Sequence, residues 1–292
     1  MKRLVISNDC DFATIENMRR AQDKFEEYGI PFSESCWIFA KNEVSLLEYG
    51  EEVTYKKPDY DFLKPLIEEG KIDTLHTWGN FPDGDFNARI ARLGYELLQN
   101  TSIRFKAWTA HGGLKDYQNL SPLGQGDIKN SPYYHMDYTQ QLGLRFFCRN
   151  VDIDVLRPAK NVIVNRRYFR RFRGPTKEQA YSITLKWFHK QIEMAERRNL
   201  WHRPPDDVII YTHFYAKDDV DSPHRSVPVH EFEIPDSADR CLRQLAERRD
   251  KGELKILRLN DLLCNDRPNS YGVSSEQRLT KVNSKVKPHL DT

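Results

Sequence analysis

Short apolar runs recur along this chain, and most are followed by a stretch whose apolar residues fall at helical spacing. The run over 4–7 leads into a helical pattern over about 14–28, with Ile15, Met18 and Phe25 on one face and Gly29 as its stop. Further strands are predicted over 31–39, 72–76, 105–108, 144–148, 161–165, 207–213 and 254–259. Helical patterns cover 59–70, 86–99, a stretch ending at 142, 177–198 and 237–249. Strand and helix in alternation call for parallel βαβ units. With no break in composition before Asn265, a single barrel-like α/β domain over 1–264 is expected, followed by a polar tail over 265–292.

The ends of the runs carry the chemistry. Asp9 and Asp11 follow the first run, and in extended chain residues i and i+2 point the same way. Paired acids there suit a metal ligand beside a general base; the plain alternative is a turn or helix cap. Other runs end at His76, His111 and His213. Parallel strands bring their C-terminal ends to one rim, so these residues converge although far apart in sequence. Imidazoles and carboxylates with an open position bind a divalent metal and lower the pKa of its bound water.

In order and spacing, Asp9 and Asp11, His76-Thr77 with Asn80, and His213 in Ile210-Tyr211-Thr212-His213 resemble motifs of the polysaccharide deacetylase superfamily, the carbohydrate esterase family 4 and its relatives. The resemblance spans roughly residues 3–263 and includes the last run, Gly252 to Leu259. It implies a distorted (β/α)7–8 barrel of mainly parallel strands and a metal-dependent hydrolase that removes an acyl group from an amino sugar. The lack of a secretion signal and the arginine-rich segment over 166–173 add the expectation of a sugar precursor in surface-glycan biosynthesis as substrate. By that resemblance Asp9 is the general base, Asp11 and His76 hold a divalent metal, zinc, and His213 is the general acid. Asn80 stands where the family has a second metal-binding His, and His111 is the candidate substitute. The Arg-containing motif that orients the base in the family is missing near His111. Trp78, Trp108, Gly112, Gly113, Arg167 and Phe214 are expected to contact a carbohydrate or sugar-nucleotide substrate.

Composition bounds the alternatives. A formal charge of +2 gives no bulk attraction to nucleic acid or membrane. No apolar run reaches the length of a membrane span and no signal-peptide pattern opens the sequence, so a cytoplasmic location is expected. The cysteines at 10, 36, 148, 241 and 264 lack Cys-x-x-Cys spacing and are expected to be reduced thiols. The arginine-rich segment over 166–173 fits a solvated surface or an anion clamp. Asn80 and the missing Arg also allow a catalytically inactive barrel that binds a glycan or nucleotide sugar. A glycosidase fits less well, because its two carboxylates flank the bond from opposite sides.

Overall fold

The computed structural model describes residues 2–81, 84–111, 116–121, 123–149, 152–157, 162–172, 184–197, 207–218 and 226–265. The chain starts with β1 (Lys2–Asn8), and Thr14 then caps α1 (Ile15–Glu27) by accepting from Asn17 N. β2 (Ser33–Ala40), β3 (Ser45–Tyr49), β4 (Val53–Tyr55), α2 (Asp59–Glu68), β5 (Ile72–His76), β6 (Gly79–Asn80), α3 (Ala88–Leu98) and β7 (Ala107–Thr109) follow. Next come α4 (Met136–Gln141), β8 (Phe146–Arg149), β9 (Asp152–Arg157), β10 (Val162–Phe172) and, after a 3-10 turn, α5 (Phe188–Arg197). The described chain closes with β11 (Asp207–Thr212), the hairpin β12 (Ala216–Asp218) and β13 (Ser226–Pro228), α6 (Asp236–Asp250), β14 (Leu254–Leu257) and α7 (Leu259–Asn265).

Twelve strands form one mixed, mostly parallel sheet with the order β14-β1-β11-β10-β9-β8-β7-β5-β2-β3-β4, and β6 beside β2. The α/β class therefore stands as expected. β1 also pairs with β2 at Ser7 and Asn8, which joins two distant points of that path. One departure is topological: β9 runs antiparallel to both β8 and β10. The arginine-rich segment does not follow a strand, as expected, but continues one. β10 runs on to Phe172 with an irregularity between Asn165 and Arg170, in keeping with the strand preference of Tyr168, Phe169 and Phe172.

Around β1 and β11 both sides of the sheet are dry. Leu4, Ile6, Val208 and Ile210 belong to the main core, whereas Val5 and Ile209 join Ala107, Cys148, Leu257 and the α7 leucines in a second cluster. Alternation by two puts these sets on opposite faces, and strands buried on both faces read as continuous apolar runs. α7 itself was not expected; it covers the second cluster with Leu259, Leu262 and Leu263. The predicted helix over 177–198 is shorter where it is described, because Thr184 forms a bridge with His213 and α5 starts at Phe188. β3 and β4 lie in a stretch that had no predicted element.

Cys10, Cys36, Cys148 and Cys241 are buried free thiols. No described helix is long and apolar enough to cross a membrane. Residues 266–292 of the expected tail lie outside the described residues.

Candidate metal centre

Register carries the strand ends to the site. β1 and β11 pair Ser7 with Tyr211 and Asn8 with Thr212, so Asp9 and His213 emerge level with each other, and Asp9 N donates to Thr212 O at 3.0 Å. Asp9 keeps the parity of Val5 and His213 that of Ile209, which places both on the face of the smaller core cluster. A slip of one residue would turn them to the other face. β5 ends at His76, and His76 pairs with Thr109 of β7, two residues before His111.

Five titratable side chains meet there. His76 Nε2 lies 3.1 Å from Asp11 Oδ2 and 3.8 Å from Asp9 Oδ2. His213 Nε2 lies 3.4 Å from Asp11 Oδ2 and 3.9 Å from Asp9 Oδ2, and His111 Nε2 lies 3.5 Å from Asp11 Oδ1. Asp9 and His76 are buried, whereas Asp11, His213 and His111 expose 15%, 17% and 24% of their side chains, so the cluster opens on their side. Burial works to raise the Asp11 pKa, but the charges of His76 and His213 and hydrogen bonds from His111 and His76 hold it well below the usual carboxylate range. Burial also works to lower the His111 pKa, and the hydrogen bonds and charges of Asp11 and Asp116 overcome it and lift it to about 10.

The donor set fits a divalent metal. Ligand atoms of Asp11, His76 and His111 lie within 4.8 Å of one another, and so do those of Asp9, Asp11 and His213. Imidazole with carboxylate is a zinc-type set. The surroundings fit unevenly: His111 Nδ1 faces Asp116, whereas His76 Nδ1 has no hydrogen-bond partner among the described residues.

A second layer holds the cluster in place. Trp37, fully buried, lies over His76 with ring centroids 4.1 Å apart and meets His111 edge-on at 4.9 Å. Glu43 accepts from Trp37 Nε1 (3.1 Å), Phe12 N (2.8 Å) and Asn80 Nδ2 (2.6 Å). Phe12 and Thr77 are non-glycine residues with φ of 64° and 54°, and they directly follow Asp11 and His76. Such backbone stores roughly 1–3 kcal/mol at each residue and clusters at working sites. Asn8 donates to Glu34 Oε1 (2.7 Å) and accepts from Phe214 N (2.7 Å), while Tyr215 OH donates to Glu34 Oε2 (2.5 Å). That buried bridge ties the chain beside Asp9 to the chain beside His213. Burial lifts the Glu34 pKa to about 8, against the hydrogen bonds from Tyr215 and Asn8.

Several expectations change at this scale. Asn80 Nδ2 donates to Glu43, and the imidazole of His111 stands with Asp11 and His76. Trp78 and Trp108 are fully buried, and Phe214 packs against Phe25 and Phe32; none offers a face to a sugar. Gly112 and Gly113 lie outside the described residues, as does the side chain of Arg167, whose backbone is in β10. Trp37, Glu43, Asp116 and Tyr211, whose hydroxyl is 2.7 Å from His213 Nε2, had not been assigned to the site. Only Tyr211 carried a usable signal, two residues before His213 on the same strand face.

The chain matches no family model, no curated protein and no solved structure. The geometry of the site therefore carries the functional reading.

Proposed function

We propose that the protein is a metal-dependent hydrolase of the polysaccharide deacetylase type, built on a distorted (β/α) barrel, that removes an acyl group from an amino sugar or sugar precursor. The observation that carries this reading is the convergence of Asp9, Asp11, His76, His111 and His213 from four strand ends at one partly open place. The pairing of β1 with β2 supports the barrel.

Asp11, His76 and His111 would hold the ion, and the donor set favours zinc. When bound, such an ion activates water and stabilises charge developing on the carbonyl oxygen. Asp9, buried behind the opening, receives the proton of the attacking water at Oδ2. His213, on the open side with Tyr211 at its Nε2, delivers a proton to the departing nitrogen. Asp11 remains ionised throughout, because the surrounding imidazoles hold its pKa down.

The test is elemental analysis after a mild chelator wash, on the parent and on Asp11→Ala, His76→Ala and His111→Ala, followed by acetate release from acetylated amino sugars. About one zinc per parent chain, lost in the three variants, is expected. A parent that takes up no zinc when it is supplied overturns the reading. One observation favours a second function: Asn80, whose Nδ2 donates to Glu43, puts an amide where the family has its second imidazole ligand. A barrel that binds a glycan or sugar nucleotide without hydrolysing it would bind these compounds and release no acetate.

A further inference from the structure

The loop after His111 grips that residue from two directions. Asn119, fully buried, accepts from His111 N at 3.1 Å and donates to His111 O at 2.7 Å, a reciprocal pair that fixes the backbone. Asp116 Oδ2 lies 3.0 Å from His111 Nδ1 and so turns Nε2 toward Asp11. Gln118 fastens this arrangement to the chain beyond β5. Its Oε1 accepts from Trp78 N (3.0 Å) and Gly79 N (3.1 Å), and its Nε2 donates to Gly79 O (2.7 Å) and Asp116 Oδ2 (3.2 Å). Behind Gln118, His135 Nε2 contacts Gln118 O at 2.6 Å, and Gly126 leaves the space where a Cβ would strike both.

We propose that Asp116 is a positioning residue which, with Gln118 and Asn119, fixes His111 as the third metal ligand beside Asp11 and His76. The inference rests on the metal-site reading above. An imidazole that gives its Nε2 lone pair to a metal must carry its proton at Nδ1, and a carboxylate accepting that proton sets the tautomer, the ring orientation and the basicity. The loop supplies that carboxylate and locks it to Trp78 and Gly79, the segment that directly follows His76. Two ligands from different strands are thereby held by one short segment.

The experiment is chelator competition for zinc on the full chain, with Asp116→Asn and Asp116→Ala beside the parent. Imidazole nitrogen NMR of the zinc-loaded proteins is read in parallel. Both variants are expected to bind zinc roughly 10–100-fold more weakly. The His111 Nδ1 proton, protected in the parent, is expected to exchange rapidly in Asp116→Ala, whereas the amide oxygen of Asp116→Asn can still accept it without the charge that raises the basicity of the ring. Should Asp116→Ala fail to fold, the near-isosteric Asp116→Asn still gives the answer. Zinc affinity within about threefold of the parent in the folded variants, with the Nδ1 proton still protected, overturns this inference alone. A parent that binds no zinc overturns it together with the proposed hydrolase.

Discussion

Strand β5 carries two buried titratable residues, Asp73 and His76, and their surroundings could hardly differ more. Asp73 accepts its hydrogen bonds from neutral donors, Ser33 Oγ at 2.8 Å, Thr74 Oγ1 at 2.9 Å and Asn260 N, in the first turn of α7, at 3.0 Å, and the charge of Arg258 acts on it as well. Burial raises its pKa to about 6, against those same hydrogen bonds. His76 instead faces two carboxylates, with Trp37 across its ring and other imidazoles beyond. A buried acid satisfied by neutral donors is architecture, here the anchoring of α7 under the sheet. Groups of opposite charge packed together beside an opening are a candidate for chemistry. Burial alone does not separate the two cases; the identity of the neighbours does.

The sharpest way to break that contrast is to exchange the outcomes. Asp11→Ala or His76→Ala is expected to weaken zinc binding at least about 100-fold, read by chelator competition, while leaving the unfolding midpoint in urea near that of the metal-free parent. Asp73→Ala is expected to do the reverse. It strands the donors of Ser33, Thr74 and Asn260, so urea unfolding should show a loss of roughly 1–3 kcal/mol with zinc affinity unchanged. If Asp73→Ala also released zinc, the two ends of β5 would not be separate systems.

Glu34 sharpens the comparison through pH. A carboxyl whose folded pKa of about 8 lies above its ordinary 4.5 keeps its proton longer in the folded state. Its contribution therefore makes stability fall as pH rises from about 4.5 to about 8. Glu34→Gln is expected to flatten that decline in urea titrations across this range. An unchanged slope would show that Glu34 is ionised in the folded protein. The smallest expected effect is at Glu43, where Glu43→Gln deprives one of the donors Phe12 N, Trp37 Nε1 and Asn80 Nδ2 of its acceptor. The loss is on the order of 1 kcal/mol, or a few-fold in zinc affinity.

Much of the frame was legible because burial on both faces leaves a plain trace. The centres of β1 and β11 are unbroken apolar runs, β5 keeps Ile72 and Leu75 around Asp73 and Thr74, and the ends of these three strands pointed to Asp9, Asp11, His76 and His213. Expectations failed where local sequence is ambiguous. The polar stretch around Leu46 and Leu47 hides a pair of strands, and the arginines of β10 masked a strand that its aromatics support. Trp78, Trp108 and Phe214 sit beside the motifs in sequence but are buried in the core. Trp108 lies within β7, whereas Trp78 and Phe214 lie in the turns just past β5 and β11, where strand alternation gives no guide to direction.

The sequence by itself determined the alternation of strands and helices, the α/β class, and which strand ends carry acids and imidazoles, because each of these depends on periods of a few residues. Only the tertiary structure decided which of those groups meet. That His111 stands with Asp11 and His76 while Asn80 turns to Glu43, and that Asp116 and Asn119 grip His111 through a loop, follow from pairing between distant segments. Hydrogen bonds across such separations are fixed by register and packing, which no local pattern encodes.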